Sequence, residues 1–406
     1  MTDALVPAPR LPPGWRFFSR VMDAWVALGG FRFDAEWIIA RAMEREGRDD
    51  LGPDAGLVRE ALAVYCESLL RDARPHGLGR FYLHRRMCRL SVHSRLRVAP
   101  LIRAGARPLR APLIVCGLPR SGTTLLHRLL ELADDAAGIP LWQLIDPMPP
   151  HRGPDRRRLL VERSVSRLGR VVPTSLDAQH YVRPDLADEC GHLMRSSFAG
   201  SMPWQAPAFG WLEWSLRQDA LPAYRAWAAY LSALEPEGKR LVLKDPFHAA
   251  RLEEIHAVCP DAMVAQTHRD PLEIVPSFHK LCMTMHAVMV PALDVPRTVA
   301  AHTDWLSWVV ERNAAARSRF PPRQLVDVDY RALVADPVAQ VERIHRAFNL
   351  PLTGRHVERM RAYLAENGQR RHGPNPYSAE AFGQRPEELA ERFAAYRRRF
   401  NLERAA

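Results

Sequence analysis

The chain has 406 residues, of which 47% are hydrophobic and 25% charged, a globular composition that excludes a wholly disordered, collagen-like or coiled-coil protein. Its 57 Lys and Arg outnumber 46 Asp and Glu, for a formal charge of +11. The basic residues are spread out, with no run longer than Arg156 to Arg158 or Arg397 to Arg399, so a solvated surface is expected and nucleic acid is not expected as a partner.

The N-terminus carries acidic and proline residues where a signal peptide needs a basic region and an apolar run, and no stretch of about 18 apolar residues follows. The six cysteines show no CxxC spacing and read as reduced thiols of a cytoplasmic protein. Trp15 to Phe33 is aromatic and mildly basic at helical spacing. A core-facing helix is the expectation there, with an interfacial helix and peripheral membrane contact as the alternative. Apolar residues at helical intervals, such as Leu57, Ala61, Leu62 and Tyr65, predict a helical N-terminal region over 1–110.

At Ala111 the pattern changes. Leu113 to Cys116 reads as a strand, Gly117 to Gly122 as a tight loop and Thr123 to Leu130 as a helix. Further strands are predicted at Arg240 to Lys244, Ala262 to Thr267 and Leu325 to Val328, each followed by a helix-like stretch. The fold class is therefore α/β, a parallel sheet flanked by helices with ligands at the carboxyl ends of its strands. Its core is expected over 111–350, within a domain spanning 111–406. Pro149 to Arg170 reads as a loop or exposed helix, and residues 351–406 as a helical cap interrupted by a turn-rich stretch near His372 to Ser378.

Gly117 and Gly122 are five apart between a predicted strand and a predicted helix, which is the arrangement of a phosphate-binding loop. Glycine lets the backbone wrap an anion, and the free amides of the following helix start point at it. The alternative is a tight turn without a ligand. The lysine that reaches the β/γ-phosphates in nucleotide triphosphatases is replaced by Thr123, and the loop's cation is Arg120. This favours a ligand with a single 5′-phosphate over ATP or GTP.

With this loop the sequence resembles sulfotransferases that use 3′-phosphoadenosine 5′-phosphosulfate (PAPS), in the form seen in bacterial, carbohydrate and tyrosyl-protein members. The resemblance implies that Arg120, Ser121, Gly122, Thr123 and Thr124 bind the 5′-phosphosulfate. Arg269 and Ser277, eight apart after a predicted strand, match the pair that binds the 3′-phosphate. Lys244, in Leu243-Lys244-Asp245-Pro246-Phe247-His248, matches the lysine that stabilises charge on the sulfuryl oxygens. Arg371 or His372 lies where relatives place a further donor-binding residue, although the spacing departs from the usual form. The resemblance spans about residues 111 to 400 and implies no metal.

The acceptor must lose a proton, so a general base is needed. Where bacterial relatives often show Trp-Glu, this chain has Trp142-Gln143, and an amide cannot serve. His248, four residues after Lys244, is the first choice, with Asp146, His180 and Glu189 as rivals and a packed core histidine as the alternative. Seven tryptophans fall between Trp142 and Trp308. Trp211 and Trp214 at helical spacing read first as core, but tryptophans facing the cleft would suit a lipophilic or aromatic alcohol. The competing readings are an ATP- or GTP-dependent phosphotransferase with a degenerate loop and a nucleotide-binding scaffold that has lost its base.

Overall fold

Among the described residues of the computed structural model, five parallel strands form a central sheet in the order β2-β3-β1-β4-β5: β1 Leu113–Gly117, β2 Ala136–Ala137, β3 Arg240–Lys244, β4 Met263–His268 and β5 Leu325–Asp329. The structure describes residues 13–150, 153–171, 182–200, 204–367 and 377–403. All five residues of β1 and all six of β4 are buried, because helices cover both faces of the sheet. Strands buried on both faces are apolar without alternation, which is why they read as short continuous runs.

Successive side chains nevertheless part to opposite faces. Leu113, Val115, Val242 and Ala265 enter one core, against the helices Thr123–Leu130, Pro337–Ala347 and Gly354–Glu366. Ile114, Cys116, Leu243 and Val264 enter the other, which is shared with Ile38, Leu62 and Leu96 of the N-terminal helices and with Trp211 and Trp227. The N-terminal helices therefore complete one face of the sheet.

The four expected strands form within a residue of their expected ends. The fifth, β2, is two residues long and pairs only with β3 at the sheet edge. The segment near 149–170 contains the helix Arg157–Val171. The helix Pro13–Ala27 corrects the expectation of a core-facing helix, since none of its residues is fully buried. Phe18 packs on Phe81 at 5.4 Å between ring centroids, while Phe17, Val21 and Trp25 face outward. No helix among the described residues is long and apolar enough to cross a membrane.

Register decides where chemistry collects. Val115 pairs with Lys244, Gly117 with Thr267 and His268 with Asp329, so the carboxyl ends of β1, β3, β4 and β5 finish along one edge of the sheet.

Candidate active site

The loop after β1 is held in a shape that few residue types tolerate. Gly117 has φ 144°, and a Cβ there would overlap the Thr267 carbonyl oxygen on β4. The buried Ser121 hydroxyl donates to the Leu118 carbonyl at 2.5 Å and lies 2.6 Å from Thr267 Oγ1. Ser121 thus fastens the loop to β4. Arg120 and Gly122 adopt left-handed conformations, with φ 70° and 90°, and turn the chain into the helix Thr123–Leu130. No side chain caps that helix at Gly122. Its first-turn amides lie beyond the helix's own hydrogen bonding, and the helix dipole favours an anion in front of them.

Cations surround this opening. The Arg120 Nε donates to Ser277 Oγ at 3.1 Å, and Arg269 donates to the Arg120 carbonyl at 2.9 Å. The loop and the pair expected at the 3′-phosphate are thus joined. Arg269 is also bonded to Glu273 at 2.6 and 3.0 Å and lies 4.3 Å over the Tyr330 ring. Burial pushes the Arg120 guanidinium below its ordinary value, and the Arg269 charge adds to the effect against opposition from Tyr377. Two clustered guanidiniums and an uncapped helix start fit a ligand with two separate anionic groups.

Lys244 ends β3 beside this loop and is 1% exposed, with its ammonium 3.0 Å from Glu189 and 3.9 Å from Asp188. Burial alone would lower its pKa, but these two carboxylates outweigh burial and hold it above the usual lysine value. Next to it, Asp245 accepts from the Phe247 amide at 2.9 Å and starts the short 3₁₀ helix Pro246–Arg251. Burial and the neighbouring Glu189 charge push Asp245 up to about 7. Glu189 is more exposed than Asp188, at 23% against 5%.

The candidates for the base separate clearly. His248 is buried, with Nε2 3.1 Å from Cys190 Sγ and Nδ1 2.7 Å from the Tyr224 hydroxyl. The Trp227 ring packs on it edge-on at 5.1 Å. Burial lowers its pKa to about 3, against a smaller upward pull from Glu189. Both ring nitrogens are engaged, as in the packed position that was the alternative reading, and His248 also lines the cavity beside Asp245. Asp146 pairs with Arg97 at 3.2 Å and belongs to a different cavity. His180, Arg371 and His372 lie outside the described residues.

Beside Asp245 and Gly191 a cavity of about 100 Å³ is walled by Trp214, Phe247, Trp305 and Trp308. Trp305 stacks on Phe247 at 4.2 Å. Trp211, by contrast, is buried in the core 5.9 Å from Tyr65. The tryptophans thus divide between core and cavity.

Sequence reasoning missed Asp188 and read Tyr330 to Pro337 only as a structural strand-to-helix junction. Tyr330 follows β5 directly, at the edge where the other strands end, and an aromatic at that place was the available signal. Among the described residues no group of three or more His, Cys, Asp or Glu side chains is arranged to hold a metal.

The model of the sulfotransferase family matches residues 112–354. A curated relative, omega-hydroxy-beta-dihydromenaquinone-9 sulfotransferase Stf3 of Mycobacterium bovis, is 25% identical over 277 residues, which cover 63% of this chain and 67% of the relative. The crystal structure of sulfotransferase STF1 from Mycobacterium tuberculosis is 29% identical with a TM-score of 0.72, over 90% of this chain and 100% of that one. That of STF9 from Mycobacterium avium is 25% identical with a TM-score of 0.79, over 92% and 98%. With the phosphate loop, the Arg269 and Ser277 pair and the Lys244 strand end inside the matched span, the chain belongs to the sulfotransferase family.

Proposed function

We propose that the protein transfers the sulfuryl group of PAPS to the hydroxyl of a lipophilic alcohol, without a metal. The observation that carries this reading is the contact of Arg120 with both Ser277 and Arg269, in front of an uncapped helix start and beside the Lys244 and Glu189 pair. The donor brings a sulfur bound to a phosphate oxygen, an already activated group. What is left to the protein is alignment, charge stabilisation and removal of one proton.

In this reading the amides of Gly122 to Thr124 and the Arg120 guanidinium hold the 5′ end. Arg269, steadied by Tyr330 beneath it, and Ser277 hold the 3′-phosphate. Lys244 neutralises charge on the sulfuryl oxygens as the bond to phosphate breaks and the bond to the acceptor oxygen forms. Glu189 takes the acceptor proton, the role first expected of His248. Lys244 and Arg120 supply the positive charge that a magnesium ion supplies in nucleotide triphosphate sites, which supports metal independence. Thr123 in place of a lysine argues against a phosphotransferase.

The cavity beside Asp245 sets aromatic walls, Trp214, Phe247, Trp305 and Trp308, beside polar groups such as Asp245, His248 and Arg251, and the aromatic side suits an apolar acceptor with a hydroxyl to anchor. The relative's name states that it acts on a hydroxylated menaquinone. A hydroxylated isoprenoid quinone or similar lipid alcohol is therefore the first acceptor class to try.

The test is transfer of labelled sulfate from PAPS in the presence of EDTA, against a panel of isoprenoid alcohols, phenols, sterols and sugars. Titration with 3′-phosphoadenosine 5′-phosphate (PAP), ADP and ATP accompanies it. Metal-free binding of PAP over ATP, with transfer to a lipid alcohol, is expected. A preference for ATP or a requirement for magnesium would overturn the reading.

A further inference from the structure

A second and larger cavity, of about 380 Å³, opens between the helices Pro13–Ala27, Leu90–Ala104 and Arg157–Val171 and the end of Pro271–Met289. It shares no lining residue with the cavity beside Asp245. Its apolar side is made by Trp15, Leu78, Phe81, Leu168 and Met289, and its polar side by Arg45, Arg85, Arg86, Arg89, Arg163 and Arg167. Arg97 also lines it and is already neutralised by Glu46 at 2.7 Å and Asp146 at 3.2 Å. Asp146 is the one carboxylate among the described lining residues.

The remaining arginines lack such compensation. Arg45, Arg85, Arg89, Arg163 and Arg167 make no ion pair with a carboxylate of the described residues, and Arg86 bonds to the neutral Ser164 hydroxyl at 3.2 Å and Leu160 carbonyl at 2.9 Å. Arg85 lies 5.3 Å from the centre of the Phe81 ring. Burial pushes Arg89 below its ordinary value, and the charges of Arg45 and Arg85 push it further. Arg86 is also pushed down, chiefly by burial, with Tyr82 and Asp146 opposing and Arg85 and Arg167 adding to it. Unpaired positive charges gathered over an apolar floor are repulsive until an anion joins them, and an arginine fork matches phosphate or sulfate oxygens.

We propose that this cavity binds an anionic amphiphile, with its phosphate- or sulfate-like head among Arg85, Arg89 and Arg163 and its apolar chain along Trp15, Phe81 and Met289. A lipid source is favoured over a free anion by the helix that supplies Trp15. Its opposite side exposes Phe17, Val21 and Trp25 at helical spacing, with Leu28 just beyond, at 71%, 42%, 53% and 81%. A stripe of that kind suits an interface with lipid. This site is separate from the donor and acceptor positions proposed above and does not depend on that assignment.

Calorimetric titration of the full chain with dodecyl phosphate, below its micelle concentration, tests the proposal. Inorganic phosphate, dodecanol and dodecyltrimethylammonium are the comparison arms. One dodecyl phosphate per chain is expected, binding at least tenfold more tightly than any of the other three. Arg89→Gln and Arg163→Gln should each weaken it at least tenfold while PAP affinity and Tm stay close to wild type. Arg163 is on an exposed helix face, so its variant keeps the test open if Arg89→Gln does not fold. Unchanged binding in the folded variants, or equal binding of the cationic surfactant, would overturn the site. Inorganic phosphate binding as tightly as dodecyl phosphate would overturn the amphiphile assignment in favour of a free anion.

Discussion

The Lys244 ammonium lies 3.0 Å from the Glu189 carboxylate at the carboxyl end of β3, next in register to the strand that enters the phosphate loop. A buried cation held by a partly exposed carboxylate sets two charges of opposite function side by side. Lys244→Ala should lower kcat by about 10²–10³-fold through lost stabilisation of oxygen charge. Glu189→Gln, which removes the base and keeps the shape, should lower it by about 10²–10⁴-fold. PAP affinity in both should stay within a few-fold of wild type. A Glu189→Gln enzyme with normal turnover would remove Glu189 from the base role.

The contact of Arg269 with the loop predicts a selective binding defect. A hydrogen bond to a charged group contributes about 1.5–3 kcal/mol, so Arg269→Ala should weaken PAP by roughly 10- to 100-fold. Binding of ADP, which lacks the 3′-phosphate, should change little. Ser277→Ala, the loss of a neutral hydroxyl that also accepts from Arg120, should cost about 0.5–1.5 kcal/mol. Equal losses for PAP and ADP would place Arg269 away from the 3′-phosphate.

Much of this site could be read in the sequence because its parts are local. Gly117 to Thr124 is one continuous strand, loop and helix start, and Leu113 to Cys116 announces itself as a strand because helices bury it on both sides. Arg269 and Ser277 are eight residues apart on one strand-to-helix junction. The rest depends on distant segments meeting. Glu189 reaches Lys244 from 55 residues away, and nothing in the local pattern of either marks the pair. The setting of His248 was hidden for a related reason. Its spacing from Lys244 was visible, but the 3₁₀ turn that Asp245 starts sends the ring into Tyr224, Cys190 and Trp227. The helix Pro13–Ala27 shows the limit for surfaces, since an amphipathic pattern does not tell which side finds a partner. β2 is too short for any pattern to show.

The position of His248 predicts a stability effect with a definite sign. Its folded pKa is about 3, below the value near 6.5 for an unfolded histidine. The neutral ring's contribution is therefore complete above about pH 6.5 and is lost as pH falls toward the folded value. In denaturant unfolding, wild type should lose stability between pH 7.5 and pH 5, and His248→Gln should lose less over the same interval. At pH 7.5 the variant should be destabilised by about 1–3 kcal/mol, because the buried Tyr224 hydroxyl loses its ring partner. A His248→Gln protein as stable as wild type but with turnover reduced more than a hundredfold would return His248 to the base role.

Gly117 offers a test of how tightly the phosphate loop is tied to β4. At φ 144° a side chain is strained, and the atom it would strike is the Thr267 backbone carbonyl oxygen. That oxygen has little room to move. Thr267 is fully buried, is paired in register with Gly117 itself, and is joined to the loop through the Ser121 hydroxyl. The strain in Gly117→Ala must therefore be relieved by the loop, carrying Arg120 and the uncapped helix start with it. Gly153 supplies the comparison, since it has φ 83° with nothing within 4 Å of a Cβ, so Gly153→Ala meets backbone strain alone, about 1–2 kcal/mol. Gly117→Ala should reach about 3 kcal/mol and should also weaken PAP binding at temperatures where the protein remains folded, whereas Gly153→Ala should leave PAP binding unchanged. If both alanine variants lost the same stability and bound PAP alike, the loop would be free to rearrange, and its fixed shape would not be what holds the 5′ end.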